Sequence, residues 1–445
     1  MSKLFGTDGV RGEANSQLTP ELAFSLGRAA AWNLAREQGG EIIIGRDTRL
    51  SGTMLEAALA SGIASVGVDV RLAGVVTTPA LAWLTKTSNA VAGAMISASH
   101  NPMADNGIKF VNTWGLKLED AQEEEIESII REGMDALPRP VGPNVGRIAH
   151  DQSLAEGYIE YLGSTICKPL NGLKVVLDCA NGAGSFIAPR VLESAGATVQ
   201  VIYANPDGSN INAGCGSTHP EAVAKAVRAQ RADLGLALDG DADRLIAVDH
   251  TGSEVDGDKI MLICARHLKE QGLLKDNTLV VTVMSNMGLQ LAARDLGIKT
   301  VATKVGDRYV LEAMLKGEYS LGGEQSGHVI FRRYATTGDG ILTGLQLMEI
   351  MSQTGSSLAD LSKVMERLPQ VLVNVRVASK DGWESNQRIN EAIAGAEVQL
   401  GDRGRVLVRP SGTEPLIRVM LEGPEQEQLA VLAQGIADVI KAEQG

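Results

Sequence analysis

Three aspartates spaced two residues apart are the strongest chemical signal in this sequence. Asp239, Asp241 and Asp243 lie in the run D-G-D-A-D-R, which ends at Arg244. Carboxylates so close together repel one another unless a cation gathers them, and their hard oxygens favour Mg²⁺ or Ca²⁺. The run is not an EF-hand, because Arg244 stands where that loop requires glycine. A solvated acidic turn is the alternative, but the apolar residues 234–238 just before the run favour a metal site with room for a phosphate oxygen.

A hydroxyl beside an imidazole forms the second candidate site. The run S-A-S-H-N-P at residues 97–102 follows the apolar residues 91–96 and contains Ser99 and His100. The carboxyl edge of a parallel sheet is where ligand sites of α/β proteins form, and a serine beside a histidine can act as a nucleophile beside a base or acid. A plain turn is the alternative reading. The G-x-S-x-G motif of α/β-hydrolases is absent from this segment, which disfavours that class.

A glycine-rich run, G-G-E-Q-S-G-H at residues 322–328, is suited to a sugar. Glu324 and Ser326 can exchange hydrogen bonds with vicinal hydroxyls, while the glycines allow close approach of the backbone. Taken alone, the run is equally typical of a structural turn.

A fourth run, R-P-S-G-T-E-P at residues 409–415, combines hydroxyls, a glycine amide and guanidinium groups. Such a loop suits a phosphate dianion, because guanidinium groups bind phosphate through two parallel hydrogen bonds. The alternative is a structural turn with surface arginines. The chain has no G-x-x-x-x-G-K-[ST] loop, so kinase and ATPase functions lose weight. The predicted phosphate ligands are Arg409, Ser411, Gly412, Thr413 and Arg418.

Two basic residues complete the candidate site. Arg11 lies in the glycine-rich loop F-G-T-D-G-V-R-G at residues 5–12, and Lys109 follows Ser99 by ten positions on the next predicted strand. We expect Arg11 to steady a phosphoserine, and a neighbouring cation to lower the pKa of Lys109 so that it can titrate.

The elements that must position these residues alternate in type. Thr19-Pro20-Glu21 predicts the start of a helix, Ser51 is expected to cap the next one, and apolar strands at 91–96 and 234–238 lead directly into candidate loops. Strands alternating with helices of 10–15 residues predict βαβ units on a mostly parallel sheet.

Domain limits follow from changes in this pattern. We predict α/β domains at residues 1–145, 151–255 and 256–368, and a smaller α+β domain with an antiparallel sheet at 369–445. The prolines and glycine within 138–143 indicate the first linker. The fold class is therefore α/β, with three mixed α/β domains and a smaller C-terminal domain.

Composition narrows the function further. The 445 residues carry a formal net charge of −13, and only 3% are aromatic, which argues against nucleic acid and anionic membranes as partners. The four cysteines form no C-x-x-C pair, and the chain shows neither a secretory signal nor a long uncharged apolar segment. We expect a cytoplasmic enzyme whose anionic small-molecule substrate meets a local basic pocket.

Taken in order, the four runs resemble the signatures of the α-D-phosphohexomutase family. These are a catalytic-serine loop, a D-G-D-x-D-R metal loop, a G-E-x-S-G-H sugar loop and an R-x-S-G-T-E-P phosphate loop. The resemblance covers nearly the whole chain, and it implies four domains around a central cleft, a mobile fourth domain and homodimers. Within the family, the loop at residues 5–12, the S-A-S-H-N-P run and Gln325 resemble the amino-sugar branch.

The resemblance also implies roles for individual residues. Ser99 would carry a phosphoryl group, with one Mg²⁺ held by Ser99, Asp239, Asp241 and Asp243. Glu324 and Ser326 would hold the sugar hydroxyls. The remaining catalytic candidates implied in this way are Arg11, His100, Lys109 and His328, and the remaining substrate-binding candidates are Arg244, Gly306, Asp307, Arg308, Arg409, Ser411, Gly412, Thr413 and Arg418.

The implied reaction interconverts glucosamine 6-phosphate and glucosamine 1-phosphate through glucosamine 1,6-bisphosphate, which also serves as activator. The product would feed UDP-N-acetylglucosamine and cell-wall synthesis. The main alternative within the family acts on neutral hexose phosphates. Outside it, a haloacid-dehalogenase phosphatase would use Asp239 as nucleophile, but such enzymes usually place Thr or Val at the position of Asp243. A sugar-phosphate-binding protein without turnover is the non-enzymatic alternative.

Overall fold

The computed structural model describes residues 4–6, 8–36, 40–151, 153–411 and 415–445. The chain divides into two compact units. The first comprises residues 1–284 and 301–363, and the second comprises residues 285–300 and 364–445.

The first unit begins with a six-stranded sheet of order β1-β5-β4-β2-β3-β6. Strands β2, β3, β4 and β6 run parallel, whereas β5 is antiparallel to β4 and to β1. Its elements are β1 Val10–Glu13, α1 Pro20–Ala35, β2 Glu41–Arg46, α2 Leu50–Ala64, β3 Asp69–Val75, α3 Thr78–Thr87, β4 Ala90–Ile96, β5 Asp105–Asn112, α4 Asp120–Ser128 and β6 Ile148–His150.

Side-chain capping explains where helix α1 begins, but not where helix α2 begins. Helix α1 starts at Pro20 because the Thr19 side chain accepts a hydrogen bond from the backbone amide of Leu22, as predicted. The prediction for α2 is wrong. That helix begins at Leu50, one residue before Ser51, and no side-chain cap precedes it.

A second, five-stranded sheet has the order β11-β10-β9-β7-β8. Strands β9 and β10 form an antiparallel hairpin, in which Leu238 faces Leu245 across the turn that carries the aspartates. Its elements are α5 Leu154–Gly163, β7 Lys174–Asp178, α6 Ala188–Ser194, β8 Thr198–Ile202, α7 Pro220–Gln230, β9 Leu234–Leu238, β10 Leu245–Asp249 and β11 Glu254–Val255.

A third sheet has the order β13-β12-β14-β15. Strands β14 and β15 are antiparallel, and their connection is the predicted sugar loop. The elements of this part are α8 Gly257–Glu270, β12 Thr278–Thr282, α9 Met287–Asp295, β13 Lys299–Thr303, α10 Asp307–Gly317, β14 Leu321–Gly323, β15 Val329–Phe331, α11 Gly340–Thr354 and α12 Leu358–Leu361. Helix α9 belongs to the second unit.

The second unit contains a three-stranded antiparallel sheet of order β16-β18-β17. Its core joins Ile417 and Val419 of the central strand to Ile389, Leu429 and Ile436 of the helices. The elements are β16 Gln370–Arg376, α13 Gln387–Leu400, β17 Arg405–Pro410, β18 Leu416–Glu422 and α14 Gln426–Gln444. The predicted fold class, mixed α/β sheets and a smaller C-terminal α+β part, is confirmed.

Candidate active site

Ser99 lies in a tight loop after β4, with its backbone in the left-handed region at φ 51°. Few non-glycine residues adopt this conformation, and it persists only where neighbours hold it. The backbone amide of Ser99 donates to Ser97 Oγ at 2.9 Å. Its carbonyl oxygen accepts from Arg49 Nη2 at 3.2 Å and from Asn212 Nδ2 at 2.9 Å. The loop is therefore fixed from several sides.

Asp47 supports this loop from below. It is fully buried, accepts the Ser97 hydroxyl at 2.6 Å and forms an ion pair with Arg49. Burial raises the pKa of Asp47, although the Arg49 charge and the Ser97 hydroxyl oppose the rise. Removing either Asp47 or Arg49 would leave the charge of the other uncompensated beneath the serine loop.

The three aspartates of the β9–β10 turn converge as a metal site requires. Asp239, Asp241 and Asp243 are buried, and each offers an oxygen within 4.8 Å of the others. Burial, followed by the charges of Asp243 and Asp241, raises the pKa of Asp239 well above its usual value. The Oδ1 atoms of Asp241 and Asp243 are buried and find no hydrogen-bond partner in the described part of the chain. Buried carboxylate oxygens without donors are what a hard divalent cation satisfies, so these residues fit such an ion.

The serine loop and the metal loop are in contact. The Ser99 hydroxyl donates to Asp239 Oδ2 at 2.5 Å. Gly240 allows this approach, because a Cβ there would lie 2.6 Å from the Ser99 carbonyl oxygen. A serine hydroxyl and a cluster of carboxylates that fits a metal ion thus share one site, although 140 positions separate Ser99 from Asp239 in sequence.

His100 lies beside the serine and is uncharged at neutral pH. Its Nδ1 is 3.4 Å from Ser99 Oγ and accepts from Arg244 Nη1 at 2.9 Å. Burial, with the charges of Arg244 and Arg11, lowers the pKa of His100 to about 4.

Lys109, on β5, has carboxylates as its nearest charged partners. Its Nζ is 3.0 Å from Asp8 Oδ2 and 3.4 Å from Asp241 Oδ2. Burial alone would lower the pKa of Lys109, but these carboxylates outweigh it and raise the pKa above the usual value. The predicted lowering by a neighbouring cation is therefore wrong in direction. Arg11, a cation close enough to lower the pKa of Lys109, has a smaller influence on it than these carboxylates and is itself paired with Asp8.

The sugar loop adjoins the metal loop through His328. Its Nδ1 is 3.5 Å from Asp243 Oδ2, and its Nε2 accepts from the backbone amide of Gly338 at 2.9 Å. Burial opposes protonation, but the hydrogen bond to Asp243 outweighs it and raises the pKa of His328. Glu324 Oε1 accepts from the backbone amide of Gly306 at 3.1 Å.

The other predicted residues of this region differ in exposure and in partners. Ser326 is exposed at the tip of the loop. Asp307 pairs with Lys117, with 2.6 Å between Oδ2 and Nζ. The Arg308 guanidinium pairs with Asp120 and Glu312, so it is engaged away from the aspartate triplet.

The predicted phosphate loop belongs to the second unit. Arg409 and Arg418 face each other across β17 and β18, and Arg418 Nη2 is 3.4 Å from Ser411 Oγ. Burial and the Arg418 charge lower the pKa of Arg409. Lys380 Nζ donates to the Ser411 carbonyl oxygen at 2.8 Å. Positive charge gathered around one serine suits a phosphate; Gly412 and Thr413 lie outside the described residues.

Comparison with known proteins agrees with this geometry. Family profiles described as phosphoglucomutase/phosphomannomutase match as α/β/α domain I at residues 2–136, domain II at 156–252, domain III at 256–368 and the C-terminal domain at 372–439. The chain belongs to the α-D-phosphohexomutase family.

Among phosphohexomutases, the chain is similar over its full length to proteins named phosphoglucosamine mutase. It is 57% identical to that of Symbiobacterium thermophilum over 447 residues, which cover 100% of both chains. It is 54% identical to that of Desulforamulus reducens, covering 99% of each.

Two solved structures share the fold of this phosphohexomutase. A phosphoglucomutase/phosphomannomutase family protein from Burkholderia thailandensis superposes with a TM-score of 0.84 at 24% identity, covering 99% of this chain and 98% of that one. N-acetylphosphoglucosamine mutase from Aspergillus fumigatus, solved with GlcNAc-6P and magnesium, gives a TM-score of 0.68 at 18% identity, covering 99% and 96%. No described helix has the length and apolar character needed to cross a bilayer.

Several residues that hold the predicted loops of this phosphohexomutase in place were missed by sequence reasoning. Each contacts a predicted residue, or the loop that carries one, from a distant segment. Asp8 is the one that lies within a predicted motif, and it carried no signal that set it apart from its neighbours. These residues are Asp8, Asp47, Arg49, Lys117, Asn212 and Lys380.

Proposed function

We propose that this chain interconverts glucosamine 6-phosphate and glucosamine 1-phosphate, the phosphoglucosamine mutase reaction. The observation that carries the proposal is the contact between the Ser99 hydroxyl and the buried aspartate triplet. Similarity at 57% identity over the full length to a protein of that name supports the amino-sugar substrate.

The aspartate triplet and Ser99 would hold one Mg²⁺. When bound, the ion neutralises charge on the transferring phosphoryl group as a Lewis acid. Asp241 and Asp243 suit this role because their buried Oδ1 atoms have no hydrogen-bond partner in the described ranges.

Ser99 carries the phosphoryl group between the two halves of the reaction. In the first half, the bond between phosphorus and Ser99 Oγ breaks while a bond to the sugar 1-hydroxyl forms, giving glucosamine 1,6-bisphosphate. Of the two predicted proton acceptors, His100 is uncharged at neutral pH because its pKa is lowered to about 4, so the sugar 1-hydroxyl loses its proton to His100. The carboxylates beside Lys109 raise its pKa and keep it protonated, so Lys109 contributes positive charge instead. After the bisphosphate turns end over end, the bond between its 6-oxygen and phosphorus breaks while a bond to Ser99 Oγ forms, and the 6-oxygen gains a proton in exchange for the one that the Ser99 hydroxyl gives up. A loose, in-line transfer depends mainly on positioning and charge, which the fixed loop of Ser99 and the Arg11 guanidinium supply.

Residues around the sugar loop bind the substrate in this proposal. Glu324 and Ser326 hold the 3- and 4-hydroxyls in both orientations, and His328 orients the ring beside Asp243. Further contacts to the substrate come from residues near these in the chain, namely Arg244, Gly306, Asp307 and Arg308. The substrate phosphate is bound by Arg409, Ser411, Gly412, Thr413 and Arg418 of the second unit.

The remaining proposals concern the molecule as a whole. We assign the domain limits predicted from sequence, a homodimeric state and a cytoplasmic location, with glucosamine 1,6-bisphosphate as activator. The acidic composition and the family resemblance support these assignments.

Peptide mapping by mass spectrometry tests the central step. We expect a phosphate on Ser99 in the active protein and none in Ser99→Ala, which should lose turnover. Ser61→Ala, an exposed serine of α2, is the control and should keep both. A fully active protein that never carries phosphate on Ser99 would refute the mechanism.

Turnover of three sugar phosphates tests the substrate. The proposal predicts the highest kcat/KM for glucosamine 6-phosphate. A higher value for glucose 6-phosphate or mannose 6-phosphate would favour a phosphomannomutase/phosphoglucomutase acting mainly on neutral hexose phosphates.

A further inference from the structure

A series of alternating charges runs through the first unit beside the candidate active site. Lys117 Nζ lies 2.6 Å from Asp307 Oδ2 and 2.7 Å from Asp8 Oδ1. Asp8 Oδ2 is in turn 3.0 Å from Lys109 Nζ, which lies 3.4 Å from Asp241 Oδ2. We call these five side chains the ion-pair series.

Lys117 is the member that joins distant segments. It follows the turn after β5, whereas Asp8 lies in the N-terminal loop and Asp307 is the first residue of α10. All three side chains are 21–27% exposed, so their charges are only partly screened by water. Burial opposes ionisation of Asp8, yet the charges of Lys109 and Lys117 outweigh it and lower the pKa of Asp8 well below its usual value.

The two ends of the series reach both halves of the proposed site. At one end, Asp307 follows Gly306, whose amide donates to Glu324 of the sugar loop. At the other end, Asp241 belongs to the metal loop. Asp8 in the middle also pairs with Arg11. A displacement of Asp8 would therefore move Arg11 and Lys109, the two further cations that pair with it.

We propose that Lys117 is a positioning residue, which holds Asp8 so that Arg11 and Lys109 stay aimed at the transferring phosphoryl group. The proposal rests on the proposed function. Without Lys117, the cations that pair with the Asp8 carboxylate in the described part of the chain are Arg11 and Lys109. Asp8 then draws Lys109 towards itself and away from Asp241.

Space around Lys117 makes the proposal testable by substitution. Lys117, Asp8 and Asp307 line a cavity of about 490 Å³, whose other walls include Leu116 and Leu311. An arginine at position 117 has room for its larger head, and a methionine can lie against the apolar wall. Neither substitution forces the neighbouring side chains to repack.

Kinetics provide the first test. We expect Lys117→Met to lower kcat by about 10- to 100-fold with KM changed less than about threefold, because it removes charge positioning rather than a substrate contact. Lys117→Arg should retain most of kcat, since it restores the cation. Lys225→Met, an exposed lysine of α7, is the control and should leave kcat unchanged.

A Mg²⁺ titration, followed by the thermal unfolding temperature, provides a second test that needs no turnover. Lys117→Met should reach its half-maximal shift at a several-fold lower Mg²⁺ concentration than the parent, because Lys109 no longer opposes the dication next to Asp241. A purely structural role predicts an unchanged or higher midpoint. Lys117→Arg should match the parent.

The outcomes separate the two proposals. A folded Lys117→Met with kcat within threefold of the parent, or with an unchanged or raised Mg²⁺ midpoint, would overturn the role of Lys117. Equal loss of kcat in Lys117→Arg and Lys117→Met would overturn it as well. If the parent turns over none of the three sugar phosphates, the proposed function fails, and the Mg²⁺ midpoint still decides on Lys117.

Discussion

Gly240→Ala should lower the activity while the protein still folds, because Gly240 lies where the serine loop contacts the metal loop. The added Cβ would lie 2.6 Å from the Ser99 carbonyl oxygen and 2.8 Å from Ile211 Cδ1. Ordinary van der Waals contact begins near 3.4 Å, so the Ser99 carbonyl must retreat by about 0.8 Å. The same carbonyl is held by Arg49 and Asn212, which resist the movement.

The size of the effect follows from this displacement. Misplacing a reacting group by about 1 Å costs on the order of 100-fold in rate, so we expect kcat to fall by about 30- to 100-fold. Overpacking of this kind typically costs about 1–3 kcal/mol of the free energy of unfolding, which should leave the protein folded at room temperature.

A coupled assay of glucosamine 1-phosphate formation would measure kcat, and circular dichroism would measure the unfolding temperature. Gly163→Ala is a matched control, because Gly163 ends helix α5 and a Cβ there meets nothing within 4 Å. The control should keep full activity. If Gly240→Ala keeps kcat within threefold of the parent, the inferred dependence of transfer on Ser99 placement is refuted.

Two further substitutions test other parts of the molecule. Arg418→Lys should raise KM for glucosamine 6-phosphate by about tenfold, because an ammonium lacks the two-pronged donor geometry of guanidinium. The control, Arg388→Lys, changes an exposed arginine and should leave KM unchanged. An equal rise of KM in both variants would contradict the role of Arg418 in binding phosphate. Burial raises the pKa of Asp339 to about 6, so between about pH 4 and pH 6 the native chain holds a proton that the unfolded chain has lost. As pH rises through that window, the free energy of unfolding of the wild type should fall by about 1–3 kcal/mol relative to that of Asp339→Asn, measured by denaturant titration. If the difference in unfolding free energy between the two proteins does not change with pH, the raised pKa of Asp339 is contradicted.

Local sequence signals were sufficient to single out the two loops that meet at the candidate site. Ser99 and the aspartate triplet were found because each follows an apolar strand that ends in small polar residues, and strands β4 and β9 lie where the sequence predicted them. The alternation of strands with helices of 10–15 residues also predicted the fold class, because it is typical of βαβ units.

Contacts between distant segments could not be predicted in this way. Asp47 and Asn212 support the serine loop from positions 52 residues before and 113 residues after it. The direction of the Lys109 pKa shift was wrong for the same reason, because the carboxylates that raise it come from residues 8 and 241. The antiparallel placement of β5 and β10 also depends on pairing that local patterns do not encode.

The crowding of acidic groups at the β9–β10 turn has a consequence for the lifetime of the protein. With no ion bound, repulsion between Asp239 and its neighbours favours the unfolded chain, in which the three groups can separate. A cation that binds only the native state offsets this, by about 2.7 kcal/mol at a hundred times its dissociation constant. Resistance to cellular proteases should therefore track the supply of the divalent ion that the triplet would bind, so that scarcity of that ion would deplete the polypeptide itself and not only its activity.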